Sequence, residues 1–195
     1  MEKIIPRWEW RTFGKEFGEA EAKIKQYELG NFKKSSEKYI LSKNSNENTK
    51  IRDDLMDIKS LQQINKDKLE QWYPTMKEGF PILKEKIEVL FRDFFKVPVP
   101  VFEHGAYTYE EFLEDLVGAC QDLTVVDVEK ERSIYVINMA IVEIAETTFN
   151  GLANRTICVE HADPENVINT VRELGLENLP NINYISAMKS AVGME

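Results

Sequence analysis

Residues 125–136 (VVDVEKERSIYV) contain valines and an isoleucine that favour a β-strand, and a strand over this segment would carry charged side chains on both faces. Because successive strand side chains point to opposite faces, Lys130 and Arg132 share a face with the apolar residues at even positions, and the acidic residues lie on the other. A strand that packs one face on a core keeps its charges on the other face. The pattern therefore predicts either a cavity that holds anions or a ribbon that projects into water.

The composition limits the classes of function that need to be considered. A chain of 195 residues is long enough for one domain with a sizeable core. Its net charge of -9 argues against a general nucleic-acid binder, although basic residues in a pocket remain compatible with it. Cys120 and Cys158 are too few for a disulfide framework, so we expect buried free thiols in a cytoplasmic protein. No leader-like or membrane-length apolar run is present, and we expect no membrane partner.

The first third of the chain predicts a β-meander. Trp8 and Trp10 alternate with Glu9 and Arg11, so we expect the tryptophans to form an outer core under helices while the charged residues share the opposite face. The predicted elements are a strand at 8–13, a helix at 15–27, a strand at 36–42, an exposed hairpin loop at 43–49, strands at 50–52 and 55–61, and a turn between them at 53–54.

The rest of the chain predicts a helical insert around 62–120, followed by more strands. Thr108 and Glu111 form a capping box at the start of one predicted helix, and Pro98 and Pro100 require an extended segment before it. The predicted helices are 65–73, 81–95 and 108–120. The predicted later elements are strands at 125–136, 138–147 and 155–161, a helix that starts at 163–164 and stops at Gly175, and a final strand within 181–193.

Charged residues recur at every second position on strand after strand. A sheet with one face in water has no need to organise acids and bases in this way, whereas a closed barrel lined with polar groups does. We therefore predict an α+β fold: a closed or nearly closed antiparallel β-barrel, or tunnel, of about eight strands with helices packed outside, in a single domain over 1–195. The recurring residues are Glu9, Arg11, Lys50, Arg52, Lys59, Lys130, Arg132, Glu143 and Glu160.

In order and spacing, these charged motifs resemble the CYTH superfamily, the triphosphate tunnel metalloenzymes. That family includes inorganic triphosphatases, thiamine triphosphatases and class IV adenylyl cyclases, and the resemblance spans nearly the whole chain. The opening also resembles CYTH-like modules associated with exopolyphosphatases. The motifs are Arg7-Trp8-Glu9-Trp10-Arg11, Lys50-Ile51-Arg52, Asp57-Ile58-Lys59, Lys130-Glu131-Arg132, Val142-Glu143-Ile144, Val159-Glu160-His161 and, in the predicted last strand, Lys189.

The resemblance implies a site for a triphosphate or polyphosphate anion and a divalent metal. Mg2+ or Mn2+ would be held by three glutamates that would also be the catalytic residues: Glu9, Glu143 and Glu160. Charge-assisted hydrogen bonds to the phosphates would come from Arg11, Lys50, Arg52, Lys59, Lys130, Arg132 and Lys189. The partner would be the anion, with neither nucleic acid nor membrane, and the protein would be a monomer or a homodimer.

The chain departs from the family where the family has two carboxylates two residues apart. Arg7 stands in place of the first glutamate of the opening signature, and the other neighbouring positions hold Ala145, Cys158 and Ala162. Two functions therefore stay open: metal-dependent hydrolysis of a terminal phosphoryl group, and a non-catalytic module that binds polyphosphate or triphosphate. A third alternative is a barrel whose basic residues only pair with its glutamates. Tyr39 is either a packed strand aromatic or a residue that assists proton transfer.

Overall fold

Eight long antiparallel strands close into a barrel in the computed structural model, which describes residues 5–194. Around the barrel the order is β1-β10-β9-β8-β2-β3-β4-β5, with β5 returning to β1, and this confirms the predicted fold class. A short pair, β6 (Ile82–Leu83) and β7 (Ala106–Tyr107), lies apart from the barrel. The barrel strands are β1 (Trp8–Gly14), β2 (Asn31–Ser42), β3 (Ser45–Arg52), β4 (Leu55–Ile64), β5 (Glu70–Gly79), β8 (Leu123–Ile137), β9 (Ala140–Phe149) and β10 (Leu152–His161).

Five helices accompany the barrel in the part of the chain that the structure describes. The predicted capping box is present: the Thr108 side chain accepts from the Glu111 backbone, and the Glu111 side chain accepts in return. Asp163 caps the N-terminus of another helix. This helix ends before Gly175, a glycine with a φ of 75°. The helices are α1 (Gly18–Ile24), α2 (Lys84–Val89) with a π-helical continuation (Leu90–Phe95), α3 (Tyr109–Glu111) with a second one (Phe112–Val117), α4 (Pro164–Glu173) and α5 (Tyr184–Ala191).

Two apolar cores lie on the outside of the barrel, under helices. Trp10 packs with Ile157 of β10 and with Val167 and Val171 of α4, as the alternation in β1 predicts. On another side, apolar residues of β2 to β4 pack under α2, α3 and their π-helical continuations. Because the outward positions of these strands are used by the two cores, the inward positions are left to line the interior, and many of them are polar.

Helix α5 closes one end of the interior. Tyr184, Ile185 and Met188 form a third core with inward residues of the strands, including Leu41 and Phe149. The segment that leads into α5 passes beside the seam between β1 and β5, two strands that are paired through two residue pairs. Farther along β1, residues 181–182, which lie just before α5, replace β5 as the hydrogen-bond partner of β1. Ile182 N donates to Arg11 O at 2.6 Å, and Arg11 N donates to Asn181 Oδ1 at 2.8 Å.

The helix predicted for 65–73 is wrong, because Glu70–Gly79 is strand β5. The stretch contains Trp72, Tyr73 and Thr75, which favour strands. Pro74 has no backbone N–H to donate, but it lies where the pairing with β4 shifts register, so the missing hydrogen bond is tolerated there. Consequently the helical insert begins at residue 84 and not near residue 62. The predicted loop at 43–49 is also shorter, since β3 begins at Ser45.

The final strand predicted within 181–193 is wrong, because this segment forms α5. Its apolar residues recur at helical spacing, and the Asn183 side chain accepts from Ser186 N as an N-cap. Lys189 therefore lies on a helix, where its Nζ donates to Ser45 O at 2.8 Å and to Asn46 Oδ1 at 2.7 Å. Within residues 5–194, no helix is long and apolar enough to cross a membrane.

Candidate functional site

A cavity of about 140 Å³ lies inside the barrel. Eight of the ten predicted site residues line it, whereas Arg52 lies at its edge and Lys189 holds α5 to the β2–β3 hairpin. Residues from five other positions complete the lining. The full set is Glu9, Arg11, Tyr39, Asn48, Lys50, Lys59, Trp72, Lys130, Arg132, Glu143, Glu160, Asn183 and Tyr184.

The acidic wall of the cavity consists of Glu9, Glu143 and Glu160, from the adjacent strands β1, β9 and β10. Arg11 lies between them with 6% of its side chain exposed: its Nε donates to Glu9 Oε1 at 3.0 Å and its guanidinium also donates to Glu143 Oε1 at 3.3 Å. Arg7, 54% exposed, is 3.6 Å from Glu160 Oε2. Burial raises the pKa of Glu160, the nearby Glu9 raises it further, and Arg11 opposes both.

Glu9 and Glu160 are the carboxylates of this wall that come together with a third donor. Single ligand atoms of Glu9, Cys158 and Glu160 all lie within 4.8 Å of one another. Two carboxylates fit a hard cation such as Mg2+ or Mn2+, which prefers oxygen ligands and fills its remaining positions with water and substrate. Burial raises the pKa of the Cys158 thiol, and its Sγ donates to Glu160 Oε1 at 3.6 Å, so Cys158 supports Glu160 but is a poor ligand for such a cation.

The basic wall consists of Lys50, Lys59, Lys130 and Arg132, from β3, β4 and β8, with Arg52 at its edge. At its centre lies Glu37 of β2, whose side chain is fully buried. Lys130 Nζ donates to Glu37 Oε2 at 2.8 Å and to the Tyr39 hydroxyl at 2.8 Å. Arg52 donates to Glu37 Oε1 at 3.4 Å, and Lys50 Nζ is 3.9 Å from the same atom.

This crowding shifts the pKa values of both the acid and the bases. Burial alone would raise the pKa of Glu37, but Lys130 and Lys50 lower it to about 2, so the carboxylate is charged at neutral pH. Burial lowers the pKa of Lys130 to about 8, and the positive charges of Lys50 and Arg11 act in the same direction although Glu37 opposes them. The single negative charge of Glu37 therefore does not neutralise the positive charges around it. The excess positive charge makes the basic wall suited to binding an anion.

The sequence analysis does not predict four residues that line the cavity: Asn48, Trp72, Asn183 and Tyr184. It also misses Glu37, the buried carboxylate at the centre of the basic wall. Glu37 shares its strand face with Tyr39, but its role depends on the pairing of β2 with β8, and those strands are far apart in the chain. Tyr184 comes from a helix that the pattern does not predict. The available signal was the spacing of Ser35, Glu37 and Tyr39 at every second position, which matches the charged pattern of the other strands.

No protein-family model and no curated protein matches the sequence. Solved structures do match: a proposed adenylate cyclase from Bacillus halodurans is 15% identical, with a TM-score of 0.50 over 94% of this chain and 98% of that one. HpAC1 from Hippeastrum, a proposed adenylyl cyclase described as having a dominant triphosphatase activity, is 11% identical, with a TM-score of 0.52 over 95% of this chain and 96% of its own. At these identities the likeness shows the fold alone, which is consistent with the CYTH fold.

Proposed function

We propose that this chain is a CYTH-type phosphohydrolase that removes the terminal phosphoryl group of a triphosphate or polyphosphate with Mg2+ or Mn2+. The observation that carries the proposal is the placement of an acidic wall and a basic wall in one cavity of the barrel. A metal-bound polyphosphate needs carboxylates for the cation and basic residues for the anion, at close range.

The basic wall binds and orients the phosphate chain. Lys50, Lys130 and Arg132 supply charge-assisted hydrogen bonds, and the arginine is able to make two parallel bonds to a phosphoryl group. Lys130 and Tyr39 are hydrogen-bonded before any ligand arrives, so part of the ordering cost of binding is already met. In this proposal Tyr39 holds Lys130 in place and is not a proton carrier.

The acidic wall holds the cation. Glu9 and Glu160 are the proposed ligands, and Glu143 fixes Arg11, which then faces the cavity between Glu9 and Glu143. A bound divalent metal supplies neutralisation of charge on the phosphoryl group and a water oriented for in-line attack. Among the wall residues, Arg11 is placed to stabilise negative charge that develops on the transferred group.

A second candidate, a non-catalytic polyphosphate-binding module, has one specific observation in its favour. Each carboxylate of the acidic wall has an arginine partner: Glu9 and Glu143 contact Arg11, and Glu160 contacts Arg7. Ion pairs of this kind neutralise carboxylates without a metal. In this alternative the acidic wall is a structural support, and the basic wall alone is functional.

The two candidates are separated by measuring phosphate release from tripolyphosphate, long-chain polyphosphate and ATP. The reactions contain Mg2+, Mn2+ or EDTA, and tripolyphosphate binding is measured in parallel by calorimetry. The hydrolase proposal expects release with a divalent ion and none in EDTA. Binding without release from any substrate, with either metal, would contradict it and leave the binding module. No binding at all would contradict both candidates.

A further inference from the structure

We infer that the hydroxyl of Tyr184, on helix α5, is a hydrogen-bond donor to a phosphoryl oxygen at the closed end of the cavity. The inference rests on the proposed function and adds to it a binding residue that lies on no barrel strand. The side chain lines the cavity and belongs to the helix that closes the interior.

The hydroxyl of Tyr184 is buried and has no hydrogen-bond partner among residues 5–194. Tyr184 as a whole is only 8% exposed. A buried polar group without a partner costs free energy, so most such groups are paired in native proteins. A ligand that brings a hydrogen-bond acceptor into the cavity would satisfy the Tyr184 hydroxyl, and this would explain why the hydroxyl has no protein partner.

The surroundings of the ring favour an anionic acceptor. Lys130 Nζ lies 4.1 Å from the centre of the Tyr184 ring, and Arg11 Cζ lies 4.6 Å from it. Both cations reach the same cavity, and the Nε of Arg132, which also lines it, is a second buried donor without a partner. Phosphoryl oxygens are acceptors only, so they satisfy unpaired donors of this kind, whereas a cationic ligand would be repelled.

Tyr184 is held firmly in position before a ligand binds. Asn183 Nδ2, one residue earlier, donates to both carboxylate oxygens of Glu70, at 3.0 and 3.1 Å. The ring stacks on that of Tyr39 at 6.1 Å, with 19° between the planes, and makes an edge contact with Phe13 at 5.1 Å. Burial raises the pKa of Tyr184, so the hydroxyl keeps its proton at neutral pH and remains a donor. A donor fixed in this way contributes to binding without a large ordering cost.

Tyr184→Phe tests this directly, because it removes the hydroxyl and keeps the ring with its contacts to both cations. We expect tripolyphosphate affinity, measured by calorimetry in EDTA, to fall by about 5- to 10-fold, the effect of losing one hydrogen bond. The melting temperature of the free protein should stay the same or rise, since an unpaired buried group has been removed.

Tyr107→Phe is the matched control. The Tyr107 hydroxyl accepts from the backbone N of Glu103 at 2.8 Å and of His104 at 3.2 Å, outside the cavity. This variant should melt at a lower temperature and bind tripolyphosphate like the wild type. The two tyrosines are therefore expected to show opposite patterns of stability and affinity.

Three results would overturn the inference. Unchanged tripolyphosphate affinity in Tyr184→Phe would show that the hydroxyl does not contact the ligand, and the proposed function would stand. A lowered melting temperature of that variant would show that the hydroxyl has a partner in the free protein. If the wild type does not bind tripolyphosphate, the proposed function fails, and the inference that rests on it fails as well.

Discussion

The acidic wall and the basic wall each surround one residue of opposite charge, but they compensate their own charges to different degrees. Arg11 contacts two of the three carboxylates of the acidic wall, and the third, Glu160, forms its ion pair with the exposed Arg7. Glu37 lies within 3.9 Å of three cations, Lys50, Arg52 and Lys130, and it is fully buried. Arg11 therefore pairs with two of the three carboxylates around it, whereas Glu37 is the shared partner of three cations and is the hub of the basic wall.

This difference means that the two walls should respond differently to the loss of charge. The basic wall keeps its cations together through Glu37, so its structure depends on that carboxylate. In the acidic wall, burial and the nearby Glu9 raise the pKa of Glu160, and the ion-pair partner of Glu160 is the exposed Arg7. In the proposed function a divalent cation is the further partner of this carboxylate. The comparison predicts an effect on stability when the hub is removed and an effect on turnover when Glu160 is removed.

The largest effect is expected for Glu37→Gln, on stability. Removing the charge leaves buried cations without compensation, and breaking a buried ion pair in this way costs about 3 to 5 kcal/mol. Because the folded pKa of Glu37, about 2, lies below its ordinary value of 4.5, its contribution is fully present above pH 4.5 and is lost as the pH falls towards 2. Urea unfolding at pH 7 and at pH 3 measures both effects.

Glu129→Gln is the control for that experiment. Glu129 is an exposed residue of β8 on the outer face of the barrel, where it accepts a hydrogen bond from Ser36. Its substitution should change the free energy of unfolding by less than about 0.5 kcal/mol. Equal losses in the two variants would contradict the role of Glu37 as the hub of the basic wall.

The second effect is expected for Glu160→Gln, on turnover. If the proposed function holds, loss of this carboxylate removes a metal ligand and lowers the rate of phosphate release by at least about 100-fold, while tripolyphosphate binding in EDTA survives. Steady-state release assays with Mn2+ and calorimetry measure the two parts. Glu146→Gln, on the outer side of β9 with a 66% exposed side chain, should keep the wild-type rate. Equal rates in Glu160→Gln and the wild type would remove the functional distinction between the walls.

The third effect is expected for Arg132→Ala, on affinity. A charge-assisted contact to phosphate is worth about 1.5 to 3 kcal/mol, so tripolyphosphate binding should weaken by about one to two decades. Arg52→Ala should weaken it less, because that side chain is 44% exposed at the edge of the wall. Lys34→Ala on the outer face, where Lys34 pairs with Glu131, is the control. Wild-type affinity in both arginine variants, by calorimetry, would show that the wall does not bind phosphate.

The smallest effect is a dependence of affinity on pH. Lys130 has a pKa of about 8 in the folded protein, so it is charged at pH 7 and mostly neutral at pH 9. An anion that binds the charged form should therefore bind about 10-fold more weakly at pH 9 than at pH 7. Calorimetry at constant ionic strength measures this change, and Lys130→Met should flatten it. A persistent slope in Lys130→Met would assign the titration to another group or to the ligand.

Period-two charge patterning was enough to predict most of the cavity from the sequence. In a closed barrel each strand must turn alternate side chains inward, so Glu9 with Arg11, or Lys130 with Arg132, reveals the interior without knowledge of the neighbouring strands. The barrel itself followed from the mixture of acids and bases at these positions.

Features that depend on distant partners could not be predicted in this way. Strand β5 carries Pro74, which argues against a strand until the register shift against β4 is known. Glu37 is one acid among many until β2 is paired with β8, and only then do Lys130 and Glu37 meet. The prediction that Lys189 binds phosphate depends on a final strand, whereas helix α5 turns this side chain towards the β2–β3 hairpin.

The closure of one end by α5 has a kinetic consequence for the proposed activity. With Tyr184 and Met188 filling that end, a polymer cannot thread through the barrel, so each chain must enter and leave by the same mouth. If the proposed function holds, a shortened chain cannot advance through the barrel and has to be drawn in again from the mouth. We therefore expect distributive hydrolysis, in which all chains in the population shorten together. Gel analysis of partly digested polyphosphate would show one band distribution moving gradually to shorter lengths, and not full-length chains beside end products.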